Sequence, residues 1–283
     1  MDRGASMPRP RLYRVCAVVL RQRDLREADR LLTLLTRERG KVSAVAKGVR
    51  RPRSKLAAAS QLLCCSDLQL AAGANLDIVT QCDVRCAFYG LRQDLSRLSY
   101  ASYFAELVDS FVEERDGGEQ VFDLLLAALS QAERTRRLEL LARVFELRLM
   151  SALGYAPELG ACIRCGEGLD GDWVGFSPAL GGAICPRCAA AETGWVRISA
   201  GALRTARICS QAWPGTLPRV QLTRTTGPEL AQAMRAYIEY HLGRRMRSAA
   251  FLDKLPGLLG SSGGAGVSPA RPNSVSGSGL SHD

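Results

Sequence analysis

Aromatic residues are scarce in this chain, and they are unevenly placed. Phe, Trp and Tyr make up 6% of the 283 residues, and none occurs between Arg14 and Ala87. Domains that bind single-stranded nucleic acid by base stacking use aromatic side chains. Stacking is therefore excluded within this stretch, and a nucleic-acid site there would have to contact phosphates.

Residues typical of catalysis are also few. The chain has two histidines, His241 and His282. His282 lies near the C-terminus, and His241 falls on the apolar side of a helical pattern, where a hydrogen-bonded core or interface histidine is more common than a general base. The glycines of residues 263–266 follow no strand and lack the Gly-Lys-Ser/Thr of a nucleotide-binding loop. We therefore expect a protein without enzymatic activity.

Long apolar runs are absent too. The apolar run Val15–Leu20 is too short for a signal peptide, and the Arg-rich leader before it has no cleavage pattern. No segment is long enough to span a bilayer. Ten cysteines without a secretion signal indicate a reducing compartment, where metal binding is more common than disulfides. We expect a cytoplasmic protein that does not contact a membrane.

Positive charge is concentrated at the N-terminal end. Residues 1–85 hold 17 Lys and Arg against 8 Asp and Glu, a difference of +9. Residues 86–283 hold 21 against 20, a difference of +1. This distribution favours a polyanion site on one domain over a protein that is basic throughout.

Five short segments near the N-terminus have the alternating pattern of β-strands. They are Leu12–Leu20, Leu31–Leu35, Lys41–Lys47, Leu62–Ala72 and Leu76–Val84. Five short strands in so few residues predict a small closed barrel, and their number matches an OB-fold. After the third strand, Gly48 opens a stretch of clustered cations around Pro52, which predicts a loop.

This strand and loop carry the candidate nucleic-acid contacts. The cations are Arg37, Arg39, Lys41, Lys47, Arg50, Arg51, Arg53 and Lys55. Binding through phosphates would be independent of sequence, sensitive to salt, and would leave base edges free. We hypothesise that the domain holds strands while they pair. The alternative is a solvated charge run without a ligand.

Asp24, Glu27 and Asp29 lie among arginines, and we expect local ion pairs there rather than a metal cluster.

From Ala87 onward the hydrophobic period becomes helical. Stripes over residues 91–112 and 121–129 predict two helices, and Arg136–Leu153 is apolar nearly all round, as in the central helix of a bundle. Gly154 fits the left-handed position after that helix. Two more helices are predicted at 199–213 and 227–247. The sequence thus predicts an α+β protein. It has a disordered leader at 1–10, an OB-fold domain at 11–85, a helical domain at 86–256 and a disordered tail at 257–283.

Two Cys-x-x-Cys pairs form the strongest motif. Cys162 and Cys165 are followed, after 19 intervening residues, by Cys185 and Cys188 within a Gly- and Cys-rich insert at 158–195. This spacing is typical of a structural Zn²⁺ site, with Trp173–Ile184 supplying a hairpin between the pairs. Four thiolates leave no open coordination position. The remaining cysteines are expected to be buried small hydrophobic residues: Cys16, Cys64, Cys65, Cys82, Cys86 and Cys209.

The order of a basic barrel, a helical bundle and a four-cysteine insert resembles the bacterial RecO family. The local sequence agrees in Ala28–Thr36, Gly40–Val42 and Ala46–Arg50, and again in Leu153–Leu159, which runs into Cys162–Gly166. The resemblance covers about residues 8–255. Some members of the family lack the cysteines, whereas this sequence keeps all four.

The resemblance implies a recombination mediator. Proteins similar to RecO bind single- and double-stranded DNA, anneal complementary strands, and work with RecR and the acidic C-terminal tail of single-strand DNA-binding protein so that RecA can load. It also implies a place at the bacterial nucleoid and no nucleotide hydrolysis. An acidic tail with hydrophobic end residues needs cations beside an apolar groove. We place that site at Arg134, Arg136 and Arg137, where the alternative is helix-capping charge.

Three other functions remain open at this point. A zinc-stabilised scaffold without a nucleic-acid role is disfavoured by the charge distribution. A metal-dependent nuclease or hydrolase would need an open metal site, and four cysteines make a closed one. A transcription-related zinc protein would read base sequence, whereas phosphate-led binding shows almost no sequence preference.

Overall fold

The N-terminal part of the chain forms a five-stranded barrel. The computed structural model describes residues 11–25, 27–116 and 118–253. The strands are β1 (Leu12–Asp24), β2 (Arg30–Thr36), β3 (Gly40–Ala46), β4 (Cys65–Ala71) and β5 (Asp77–Cys86). They close in the order β1-β2-β3-β5-β4, with β3 and β5 parallel and the other pairs antiparallel. The five predicted strands are confirmed, and the barrel fits an OB-fold. The predicted leader 1–10 and tail 257–283 lie outside the described residues.

Strand β1 is buried on both of its faces. Val15, Ala17 and Val19 point into the barrel, while the side chains between them pack on the helices that follow. Successive side chains of a strand point to opposite faces, so the continuous apolar run Val15–Leu20 belongs to a wall shared by two cores.

The five predicted helices are present in order, together with two short helices that were not predicted, and the last one ends at Leu242 rather than at 247. They are α1 (Tyr89–Arg92), α2 (Leu95–Phe111), α3 (Gly118–Arg134), α4 (Leu138–Ala152), α5 (Pro186–Ala189), α6 (Ala200–Gln211) and α7 (Thr226–Leu242). Helix α4 is the central one, with ten buried residues on all sides. Gly154 follows it with φ 83°, which confirms the left-handed position predicted there.

The cysteine-rich insert is a small lobe attached to the helices. Strands β6 (Trp173–Ser177) and β7 (Gly182–Ile184) form the predicted hairpin. A third strand, β8 (Val196–Ser199), pairs with β6 and was not predicted from the sequence. The buried lobe residues Leu169, Phe176 and Ile184 are continuous with the core of the helical domain.

The cysteines outside the insert only partly follow the prediction. Cys16, Cys64, Cys65 and Cys209 are buried as expected, but Cys82 is half-buried and Cys86 is exposed. Cys86 is the last residue of β5, where the strand leaves the barrel. The expectation of a buried residue is therefore wrong at Cys86.

Ion pairs join the barrel to the helical domain. Lys41 Nζ donates to the backbone oxygen of Asp109 at 2.8 Å and lies 3.4 Å from its carboxylate. Arg21 contacts the same carboxylate at 3.3 Å. The segment after α2 also pairs with β3, since Lys41 and Glu114 form a parallel bridge. Gly40 has φ 64°, and a Cβ there would collide with the backbone oxygen of Asp116. The two parts of the chain are therefore in direct contact along β3.

A buried charged cluster lies on α4. Arg143 and Glu146 are 8% and 1% exposed, and their side chains are joined at 2.6 Å. Tyr103 donates its hydroxyl to the same carboxylate oxygen at 2.7 Å. Burial raises the pKa of Glu146, although Arg143 and Tyr103 oppose that shift. The apolar pattern of α4 gave no indication of this pair.

Among the described residues, no helix is long and apolar enough to cross a membrane.

Candidate nucleic-acid interface and metal centre

The basic loop after β3 is held against the barrel by its backbone. Gly48 donates its N–H to the Asp29 carboxylate at 2.8 Å, and the N–H of Arg50 donates to the backbone oxygen of Ala28 at 3.1 Å. Val49 is buried between these two anchors. The loop therefore has a fixed start even though its cations face solvent.

The loop cations are exposed. Lys47, Arg51, Arg53 and Lys55 form no ion pair within the part of the chain that the structure describes. Arg50 lies 3.4 Å from Asp24 and remains half-exposed. Four positive charges without an ion-pair partner among the described residues make this loop a surface that attracts anions.

Three of the predicted cations have other contacts. Arg37 pairs with Glu119 at 2.6 Å and Asp123 at 3.1 Å, and the coulombic effect of the two carboxylates raises the pKa of its guanidinium. Lys41 is engaged with Asp109, as described above. Arg39 lies over the ring of Tyr13 at 4.0 Å. Binding of a phosphate by Arg37 or Lys41 would compete with these partners.

The eight predicted cations do not form one patch. Arg37, Arg39 and Lys41 lie at one end of β3, and the basic loop lies at the other. Strand β3 has seven residues, and at a rise of about 3.3 Å per residue its ends are about 20 Å apart. The structure instead brings Arg23 and Arg30, on the β1–β2 hairpin, close to the loop, because Arg30 is opposite Ala46 in the sheet. Arg21 and Arg23 are two residues apart in β1, a spacing that places both on one face of the strand. This spacing was the sequence signal for additional cations on the hairpin, and it was missed.

The acidic residues near this loop have local partners. Asp24 contacts Arg30 at 3.2 Å as well as Arg50, and Asp29 accepts from the loop backbone. Among the described residues, the four cysteines of the insert are the only group placed to hold a metal. The structure thus confirms the predicted local ion pairs at Asp24, whereas Asp29 binds a backbone N–H instead.

The metal centre joins the two Cys-x-x-Cys pairs. The sulfur atoms of Cys162, Cys165, Cys185 and Cys188 all lie within 4.8 Å of one another, and Cys165 and Cys185 are 3.9 Å apart. A zinc ion bound to four thiolates at about 2.3 Å sets neighbouring sulfurs about 3.8 Å apart. The site therefore fits a tetrahedral metal ion, and its ligand set is compatible with zinc.

Backbone groups prepare the sulfur atoms for metal binding. The N–H of Cys185 donates to the sulfur of Cys162 at 3.3 Å. Burial raises the pKa of Cys162, but hydrogen bonds from the backbone of Cys185, Cys165 and Arg164 outweigh it, and the pKa falls to about 6. Such bonds stabilise a thiolate and fix its direction. Arg187 lies beside Cys165 and pairs with Glu167 at 2.6 Å.

The predicted partner-binding arginines lie around a cavity of about 610 Å³ between α2, α4 and the segment before α7. Arg136 and Arg137 line it together with Tyr100, Leu138 and Leu222, and Glu139 adds one carboxylate. Arg137 donates to the backbone oxygen of Pro218 at 2.7 Å. Arg134 ends α3 and does not belong to the lining. Two of the three arginines thus lie beside an apolar cavity.

Comparison with known proteins agrees with this architecture. The family model for the N-terminal part of recombination protein O matches residues 11–88, and the model for its C-terminal part matches residues 92–250. A DNA repair protein RecO of Symbiobacterium thermophilum is 42% identical over 250 residues, covering 86% of this chain and 98% of the relative. The RecO protein of Moorella thermoacetica is 40% identical over 252 residues, covering 88% and 93%. That of Roseiflexus sp. is 38% identical over 259 residues, covering 92% and 91%.

The two family models follow one another in the order of the barrel and the helical domain. Together they span nearly all of the described chain, and the relatives match over most of their own length. The chain belongs to the RecO family of DNA repair proteins.

Proposed function

We propose that this protein binds single- and double-stranded DNA through phosphates and brings complementary strands together during homologous recombination. One observation carries the proposal. Lys47, Arg51, Arg53 and Lys55 are exposed cations without ion pairs among the described residues, on a loop whose start is anchored to the barrel. Phosphate contacts from such a loop would hold a strand without selecting its sequence.

The barrel suits strand pairing because it leaves bases free. No aromatic residue lies between Arg14 and Ala87. Tyr13, the one ring on the five described barrel strands, is half-buried beneath the Arg39 guanidinium and is therefore not free for a base to stack on. A strand held by its phosphates keeps its Watson–Crick edges available to a second strand. We propose that this action requires no covalent step, and that the cysteine site holds one structural zinc ion.

The test is annealing of two complementary, unstructured DNA strands over a salt series, with and without the protein. We expect acceleration that falls steeply as salt rises, because each neutralised phosphate releases counterions. Two mismatched strands of the same length provide the control. Absence of binding at low salt would contradict the proposal and favour a scaffold role for the basic barrel.

The cavity beside Arg136 and Arg137 supports a second proposal, a site for the acidic C-terminal tail of single-strand DNA-binding protein. Its lining combines apolar side chains such as Leu138, Val220 and Leu222 with the two guanidinium groups. A peptide with carboxylates followed by hydrophobic residues matches both features. Membership of the RecO family supports the related proposals of a RecR-type partner, assistance in loading the recombinase, and a place at the nucleoid.

Reversing the charge at this cavity will weaken peptide binding. We expect the double change Arg136→Glu and Arg137→Glu to lower the affinity of a synthetic acidic tail peptide by at least about tenfold, since like charges then face each other. Isothermal titration calorimetry measures the affinity. The change Arg11→Glu with Arg204→Glu, on exposed arginines that do not line the cavity, is the matched control. Unchanged affinity in the cavity variant would remove the proposed site.

A further inference from the structure

A group of aromatic rings lies exposed at the end of α7. Tyr155 and Tyr240 are 44% and 55% exposed, and both contact the ring of His241, at centroid distances of 4.9 and 5.5 Å. Phe111, in the last turn of α2, lies 6.1 Å from Tyr155. With Arg244 and Arg245 these residues form what we term the aromatic patch.

The exposed tyrosines rest on a rigid base. The N–H of Tyr155 donates to the backbone oxygen of Met150 at 2.7 Å, which closes the end of α4. Its backbone oxygen accepts from the hydroxyl of the buried Tyr237 at 3.1 Å. Burial lowers the pKa of His241 and so favours its uncharged form, and its ring packs among those of Tyr155, Tyr237 and Tyr240. A fixed ring loses little conformational entropy when a ligand stacks on it.

Positive charge lies directly beside these rings. Arg244 and Arg245 are exposed, and neither forms an ion pair within the described part of the chain. Arg244 donates to the hydroxyl of Ser110 at 2.7 Å. The nearby carboxylates are engaged by backbone groups. Glu106 accepts from the N–H groups of Arg247 and Ser248, and Glu239 accepts from that of Met246.

The aromatic patch is continuous with the barrel. Ser110 and Phe111 directly follow Asp109, the residue that contacts Lys41 and Arg21. Three residues after Phe111, Glu114 pairs with β3 and accepts from the N–H of Ser43 at 2.8 Å. Ser110 and Phe111 therefore connect the aromatic patch along the chain to the residues that contact β3.

We propose that the aromatic patch is a second DNA subsite, which stacks unpaired bases of a single strand while its arginines contact the phosphates. This inference rests on the proposed function of the barrel and deepens it. The one ring on the five described barrel strands, that of Tyr13, lies under the Arg39 guanidinium, whereas this patch supplies exposed ring faces that bases can stack on. Its neighbouring guanidinium groups add stacking and phosphate contacts of their own.

The experiment compares two single strands of equal length and charge, oligo(dT) and its fully abasic analogue, by fluorescence anisotropy on the full-length protein. We expect the wild-type protein to bind oligo(dT) about tenfold more tightly than the abasic strand, as stacking on one or two rings provides. In the double variant Tyr155→Leu and Tyr240→Leu, oligo(dT) should bind as weakly as the abasic strand. Affinity for the abasic strand should stay unchanged.

Three further variants distinguish stacking from damage to the fold. Tyr240→Phe keeps the ring and should keep the preference for bases, while Tyr240→Leu alone should reduce it. Tyr89→Leu replaces a tyrosine that is 68% exposed elsewhere on the helical domain, and it should change nothing. Equal wild-type affinity for both strands, or a preference that survives the double variant, would overturn the second subsite. Failure of the wild-type protein to bind either strand would instead overturn the proposed function itself.

Discussion

Removal of the proposed zinc ion from the four-cysteine site will lower the melting temperature of the helical domain by about 10 °C. A structural zinc ion contributes about 10 kcal/mol or more to the folding of small isolated modules. In this protein we expect only part of that folding free energy to be lost with the metal, because the lobe also packs on the helices. A loss of about 3 kcal/mol already corresponds to about 6–12 °C in a domain of 150–250 residues.

The lobe affects the helices because its contacts are shared. Phe176 of β6 packs on Tyr237 of α7, with ring centroids 5.5 Å apart. Ser199, at the end of β8, donates to the Glu229 carboxylate from its hydroxyl at 2.6 Å and from its N–H at 3.0 Å. Arg207 of α6 donates to the backbone oxygen of Leu159 at 2.7 Å. Without the metal, the lobe opens and these contacts to α6 and α7 weaken.

The measurement combines metal analysis with thermal unfolding, using a strong chelator and, separately, Cys185→Ser. Cys86→Ser is the matched control, because Cys86 is exposed and far from the insert in sequence. Hydrogen exchange should show faster exchange in the lobe and α7 while the barrel strands remain protected. A melting temperature that is unchanged after the metal has been removed would contradict a structural role.

Replacing the four loop cations that form no ion pair in the described part of the chain will weaken DNA binding by about 10²- to 10³-fold at about 0.1 M salt. The change is Lys47→Gln, Arg51→Gln, Arg53→Gln and Lys55→Gln in one protein. Each contact to a single strand contributes about 0.7 to the slope of log affinity against log salt, so the slope should become shallower by about 3. The loss should be the same for different sequences, since phosphates carry no sequence information.

The control removes the same charge from another surface. Arg197, Arg204, Arg219 and Arg224 are exposed arginines of the helical part, and changing all four to Gln lowers the net charge equally. If binding depended only on the total charge, both variants would lose affinity to the same degree. That result, or unchanged binding in the loop variant, would contradict a localised phosphate site.

The elements of the fold were predictable because they depend on local patterns. Alternation located the five strands, helical periodicity located the main helices, and the cysteine spacing located the metal centre. The basic loop was also predictable, since Gly48 and Pro52 exclude a continuing strand. In each case, the pattern that supported the prediction lay within one continuous stretch of the sequence.

The partners of the charged residues were not predictable in the same way. Lys41 pairs with a residue 68 positions away and Arg37 with residues 82 and 86 positions away. Periodicity indicates that a side chain is buried or exposed, but it does not identify the element opposite. The aromatic patch shows the same limit, because Phe111, Tyr155 and Tyr240 come from separate segments that only the tertiary fold brings together.

The wall shared by the barrel and the helices has a mechanical consequence. Cys16, Val18 and Leu20 on the outer face of β1 belong to the same core as the centre of the helical bundle. A swing of one part against the other would expose that core to water. We therefore expect the two parts to move together, so that the loop, the aromatic patch and the cavity keep their distances from one another. If the protein binds DNA as proposed, we expect the DNA to change position by sliding over the surface rather than by being carried on a hinge.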